Sequence, residues 1–303
     1  MQFQPSPPSP AGIVNALTVD VEDYFQVAAF EANIRRDDWD RMPCRVEANT
    51  NRVLDLFEAQ GVKGTFFVLG WIAERYPRLV RRIVADGHEL ASHGYDHTRL
   101  HHFDRGQLRE DLLRTRGLLE QVGATAVIGY RAPSYSIGAR NLWALDVVQE
   151  TGHVYSSSIY PIRHDLYGMP DAPRFPFRLR PDAILEIPVT TVRLAERNLP
   201  CGGGGYFRLL PYPLYRWAMR RVNDSDGQPG MFYFHPWEVD PDQPRIPGAS
   251  LRSRFRHYVN LHAMEERLKR LLGDFRWGRM DEVFAVRSAT QAPVFRHPGA
   301  VGA

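Results

Sequence analysis

The chain has 303 residues, 44% of them apolar, and a formal charge of +3. That is enough for one large α/β domain or two small ones and too little positive charge to argue for nucleic acid as a partner. The two cysteines, Cys44 and Cys201, have no CxxC spacing and support neither a disulfide framework nor a thiolate metal site; no apolar run reaches the roughly 20 residues that span a bilayer.

Residues 1–12 form a Pro/Ser-rich tail, expected to be disordered and lacking the basic-then-apolar profile of a signal peptide. A cytoplasmic protein without a transmembrane segment is the expectation. Residues 13–21 are β-branched and apolar and end in Asp20, Glu22 and Asp23, the pattern of a buried strand running to a charged tip. Helical spacing over 45–60 stops at Gly61. A second buried strand spans 64–70, Pro77 opens a helix ending at Gly87, and a third strand over 88–92 leads to His93. Helix 107–122, strand 126–130, helix 141–150 and strand 153–157 continue the alternation, which predicts a parallel sheet with helices outside it. The second half is less regular. A Pro- and Arg-bearing loop covers 158–181 and a short strand 183–189. The glycines of Cys201-Gly-Gly-Gly-Gly205 permit a sharp or close-packed path; without a Gly-Lys-Ser/Thr ending they do not read as a phosphate loop. Helix 211–222, strand 231–234 and helix 261–272 follow, and residues from 291 onward read as a loose tail. With no internal repeat and no linker, 13–290 is read as one domain.

Chemistry concentrates in Gly87-His-Glu-Leu-Ala-Ser-His-Gly-Tyr-Asp-His97. One helical turn would put His93 and His97, at i and i+4, on one face, where two imidazoles can share an ion. Asp20 ends the first strand, His93 follows the third, Arg131 the fourth, and His235 ends the late strand. In a closed parallel barrel these carboxyl ends share one face, so the four converge. Three crowded carboxylates at Asp20, Glu22 and Asp23 repel unless a cation or Arg lies among them. His88 precedes its strand, at the opposite end, and reads as structural.

Thr18-Val-Asp-Val-Glu-Asp23, Thr65-Phe-Phe67, the 87–97 stretch, Arg131-Ala-Pro133 and Phe234-His-Pro-Trp237 resemble, in order, the motifs of NodB-type polysaccharide deacetylases, carbohydrate esterase family 4. Arg163-His-Asp-Leu-Tyr-Gly168, 198–208 and 235–245 are similar to the branch associated with exosortase and exopolysaccharide loci. The resemblance implies an α/β fold, a distorted (β/α)7 barrel, and a metal-dependent hydrolase that removes N-acetyl groups from an N-acetylated glycan, here in exopolysaccharide production and at the inner membrane face. It implies a divalent ion, Zn2+, on His93, His97 and one acid. Two-residue alternation favours Glu22, which shares Asp20's strand face; Asp23 is the alternative. It further implies Asp20 as general base held by Arg131, His235 as general acid, a backbone amide of Ser134 or Tyr135 at the oxyanion, and Tyr206 and Trp237 as sugar-facing rings. Three departures stand out. The first-strand acids are spaced Asp-Val-Glu-Asp, where many members have two adjacent aspartates. Ser134 occupies a position where Tyr is usual, and the acid that usually accompanies the catalytic histidine is missing from Tyr155-Ser-Ser-Ser158, leaving Asp165 as a substitute. An allantoinase-like amidohydrolase and a catalytically silent glycan-binding protein are the rival readings.

Overall fold

The computed structural model describes residues 12–165, 167–286 and 292–297. The expected tail over 1–12 lies outside these residues except for Gly12, as do 287–291 and 298–303. In chain order the first half comprises β1 (Val14–Val21), α1 (Val46–Ala59), β2 (Thr65–Val68), α2 (Gly70–Arg75), α3 (Pro77–Ala85), β3 (Glu89–Ser92), α4 (Arg105–Gly123), β4 (Gly129–Tyr130), α5 (Ala144–Glu150) and β5 (Tyr155–Ser156). The second half adds β6 (Leu185–Glu186), a hairpin of β7 (Thr191–Leu194) and β8 (Arg197–Pro200), α6 (Gly204–Leu209), α7 (Tyr212–Asp224), β9 (Met231–Phe234), α8 (Leu251–Tyr258), α9 (Met264–Asp274), β10 (Arg276–Gly278) and α10 (Met280–Val283).

β1 is the hub. It pairs in parallel with β2 from Thr18↔Thr65 to Val21↔Val68, with β9 from Ala16↔Met231 to Val19↔Phe234, and at its start with β10. The ladder runs on through β2, β3, β4, β5 and β6, so β1 to β6 and β9 supply the staves of a distorted α/β barrel. Strand alternation sorts the side chains. Leu17, Val19, Phe66, Val68, Leu90, Phe232 and Phe234 pack in the cluster that includes α1, α3 and α9. Ala16, Phe67, Ala91, Tyr155, Leu185, Met231 and Tyr233 form a separate inner cluster. Thr18 and Asp20 follow Ala16 at two-residue steps, which aims both inward.

The backbone ladder is open between β6 and β9, and the glycine run fills the gap. Tyr233 N–H donates to Gly202 O at 2.8 Å, and Cys201 N–H donates to Thr190 O at 3.3 Å. A Cβ on Gly202 would lie 2.9 Å from Met231 O, and one on Gly203 2.7 Å from the Tyr233 ring. Only a residue without a side chain lets this segment lie so close to β9. The close-packed path is thus the function of the run.

Several elements were not legible as such. The β7–β8 hairpin, α6 and α8 lie in stretches without clear periodicity. The described part of the presumed loose tail is paired: Arg178 N–H donates to Pro293 O at 2.9 Å and Phe295 N–H to Arg178 O at 2.8 Å, with Phe295 edge-on to Phe177.

Candidate metal centre and acid–base pair

The two histidines meet by a different route from the expected helical turn. Residues 93–97 are a loop, bent by Gly94 at φ +75° and His97 at φ +61°. A left-handed glycine costs nothing, and histidine tolerates that region better than most side chains. The loop is gripped from outside: the first two amides of α2, Gly70 and Trp71, donate to Gly94 O and Tyr95 O at 2.9 and 2.8 Å. This curl brings the His93 and His97 rings to 5.4 Å between centroids. Tyr95 leaves the site, its hydroxyl donating to Glu74 and its ring lying under Arg114.

Glu22, His93 and His97 each offer a ligand atom within 4.8 Å of the others, and they are the only such grouping of His, Cys, Asp or Glu among the described residues. Glu22 Oε2 lies 2.8 Å from His97 Nε2 yet is a buried oxygen without a hydrogen-bond donor. His93 donates from Nδ1 to Arg131 O at 2.8 Å, which fixes the tautomer with the Nε2 lone pair free. Burial, outweighing the nearby Asp20 and Glu22 carboxylates, lowers His93 to about 4 and keeps it neutral. Burial alone would raise Glu22, but His97, His235 and His93 more than offset it and hold the acid well below the usual carboxylate range. Two imidazoles and one ionised carboxylate with an orphaned oxygen are a donor set that fits a divalent ion.

Asp23, the alternative ligand, is turned elsewhere. Its Oδ2 accepts from Arg45 and Val46 amides at 2.6 and 2.9 Å, and its Oδ1 from Tyr24 N–H at 2.9 Å. It caps α1, whose opening amides otherwise have no partner.

Asp20 and Arg131 form a buried pair at 2.5 Å. The guanidinium crosses the barrel interior, donating also to Thr18 Oγ1, Ser157 O and Ser157 Oγ, with Phe67 stacked at 4.0 Å. Ser157, in the stretch where an acid was missed, holds this arginine, while Ser158 Oγ accepts from Ala132 N–H at 2.9 Å and Glu186 fixes the Ser158 and Ile159 amides.

His235 faces Glu22, Nε2 to Oε1 at 3.3 Å. Its other nitrogen donates to Glu238 at 2.9 Å, and Glu238 in turn receives Arg208 Nε at 2.6 Å. Glu238 and Arg208 are fully buried. Burial alone would lower His235, but Glu22, Glu238 and Asp20 raise it to about 9. Asp165 does not serve here, since it is exposed and paired with Arg252 and Arg256. Glu238 was overlooked although a signal existed: it lies three residues after His235 at a helix start, the spacing of a capping box. Nothing in the sequence tied Arg208 to it.

Of the residues expected to face substrate, Ser134 and Tyr135 both have left-handed backbone, φ +54° and +50°. The Tyr135 amide is committed to Ala132 O at 3.0 Å, and its ring is buried against Tyr233. The Ser134 amide takes no partner among the described residues. Trp237 has no free face: it stacks between His235 and His257 at 5.1 and 4.0 Å and donates to Glu22 Oε1 at 3.4 Å. It props the acid and the histidine. Tyr206 is half-buried on α6.

Comparison with known proteins bears on this arrangement. The sequence profile described as polysaccharide deacetylase matches residues 37–155, and that of a domain of unknown function (DUF3473) matches 157–285. The two meet at β5, inside one continuous sheet. A peptidoglycan-N-acetylglucosamine deacetylase of Bacillus cereus is 33% identical over 98 residues, which is 32% of this chain and 36% of that protein. A chitooligosaccharide deacetylase of Sinorhizobium fredii is 29% identical over 111 residues, 37% of this chain and 49% of that protein. The similarity thus spans half or less of those relatives' length. A Mycobacterium smegmatis crystal structure described under the same family name superposes with a TM-score of 0.62 over 98% of this chain and 99% of that one, at 22% identity, a likeness of fold.

Proposed function

We propose that this chain, whose residues 37–155 match the polysaccharide deacetylase profile, is a metal-dependent N-deacetylase acting on N-acetylated sugar residues in exopolysaccharide production. The observation that carries the reading is the meeting, at the carboxyl ends of the barrel strands, of a three-residue metal donor set with a buried carboxylate–arginine pair and a histidine held by its own acid. The DUF3473 match over 157–285 is consistent with the exopolysaccharide-associated branch.

Glu22, His93 and His97 hold the ion, read as Zn2+ from its two imidazoles and one carboxylate. When bound, it supplies Lewis-acid polarisation of the acetyl carbonyl and a lowered pKa for water. Asp20, aimed by Arg131, which Thr18 Oγ1 helps to hold, takes a proton from water as the water oxygen bonds to the carbonyl carbon. The Ser134 amide donates to the developing oxyanion. The C–N bond then breaks, the sugar nitrogen takes a proton from His235, and acetate and a free amine leave. Glu238 orients the imidazole and keeps it protonated for that transfer.

The test is acetate release from N-acetylglucosamine oligomers by protein stripped with chelator and reloaded with Zn2+, beside an allantoin arm. Metal-dependent acetate release without allantoin turnover is expected. Allantoin turnover alone, or no hydrolysis of either with metal bound, would sink the proposal.

A further inference from the structure

α8 has an outer face that nothing in the fold explains. Leu251 is 83% exposed and Phe255 59%, and at i and i+4 they stand side by side. Arg252, Arg254 and Arg256 flank them, and the helix, Leu-Arg-Ser-Arg-Phe-Arg-His-Tyr, contains no acid. The acid that reaches α8 is Asp165 on the neighbouring loop, paired with Arg252 and Arg256 at 3.0 and 3.1 Å. The Arg254 guanidinium has no partner among the described residues.

The inner face is firmly seated. His257 is buried and stacks on Trp237 at 4.0 Å, its Nε2 meets Gln243 Oε1 at 2.6 Å, and Phe30 packs against it at 4.6 Å. Trp237 stacks in turn on His235. The apolar pair is therefore carried on a rigid element two stacked rings from the acid–base histidine.

We propose that α8 docks on an anionic lipid bilayer, Leu251 and Phe255 entering the headgroup region while Arg252, Arg254 and Arg256 meet lipid phosphates. An apolar pair flanked by three arginines that share a single acid, Asp165, keeps an excess of positive charge that matches the negative surface of a membrane. α8 is eight residues long, too short to cross a bilayer, so its own contact is with the surface. Docking through α8 holds the rim of the site against the bilayer, where a lipid-carried glycan is presented; this last point rests on the deacetylase reading.

The experiment is sedimentation of the full chain with phosphatidylcholine vesicles containing or lacking phosphatidylglycerol, at low and raised salt. Wild-type protein pellets with the anionic vesicles, and salt weakens the binding. Leu251→Ser and Phe255→Ser each weaken it about tenfold, and Arg254→Gln weakens it and flattens the salt dependence; circular dichroism checks that these exposed substitutions leave the fold intact. Protein that stays in the supernatant, or a Leu251→Ser/Phe255→Ser variant that pellets like wild type, overturns the proposal. So does a double variant that converts a dimer to a monomer in ultracentrifugation while vesicle binding is unchanged, which assigns the face to a second copy. Binding is read without catalysis, so its failure leaves the deacetylase reading standing.

Discussion

Glu238→Gln isolates the group that tunes His235. The carboxylate accepts the ring Nδ1–H at 2.9 Å and the His235 backbone amide at 3.0 Å, while its second oxygen takes Arg208 Nε at 2.6 Å. Glutamine keeps the volume, and its carbonyl can still satisfy Arg208. Its NH2 then faces His235 Nδ1 and disfavours the doubly protonated ring. Burial works against that charge in the wild type, but Glu22, Glu238 and Asp20 together hold the imidazole at about 9 rather than about 6.5, a preference of about 3 kcal/mol. With a cation on Glu22, Glu238 carries more of this. General acid transfer is worth about 10²- to 10⁴-fold, so kcat for acetate release should fall by at least about 10²-fold with KM little changed. The sign is definite: Glu238 raises the imidazole's pKa, so the acid form persists to higher pH in the wild type than in the variant, and the basic limb of the wild-type profile lies above that of Glu238→Gln. In Glu238→Gln it moves down towards the ordinary imidazole range. A variant with native circular dichroism, kcat within about twofold of wild type and an unmoved basic limb would refute the assignment.

Glu22→Ala should abolish stoichiometric metal binding by calorimetry, whereas Asp23→Ala should retain it and lose about 1–2 kcal/mol in urea unfolding, because three amides lose their acceptor. Gly204→Ala puts a Cβ 2.3 Å from the Glu238 carboxylate; it should cost about 1–3 kcal/mol of stability and lower kcat along with it. His88 and His153 are each held by burial at about 4. Their pKa values are depressed in the folded chain, so their contribution is complete above the unfolded value of about 6.5 and is lost as pH falls towards about 4. Unfolding free energies from urea titrations should drop by about 2 kcal/mol for each of them between about pH 7 and pH 5. His153→Gln should remove its own share of that drop, about 2 kcal/mol, and an unchanged slope would show that the ring is not buried neutral.

Local pattern was sufficient for the first half of the fold. The apolar strands, the helix stops at Gly61 and Gly87, and polar residues at strand ends are all consequences of chain-local physics: burial period, φ preference and strand direction. The same signals placed Asp20, Glu22, His93, Arg131 and His235 on one rim, because parallel strands share a carboxyl end. What the chain alone left open was settled by partners far away in sequence. Glu22 and Asp23 are neighbours of like chemistry, and only the packing of α1 against the end of β1 turns Asp23 to the Arg45 and Val46 amides. His93 and His97 have helical spacing, but α2's amides, about 25 residues earlier in the chain, pull the loop into another shape. Glu238 is matched to Arg208 across 30 residues, and that pairing exists only once the glycine run has brought α6 against β9. Periodicity records which way a side chain points along its own element; which charge it will meet is decided by tertiary contact.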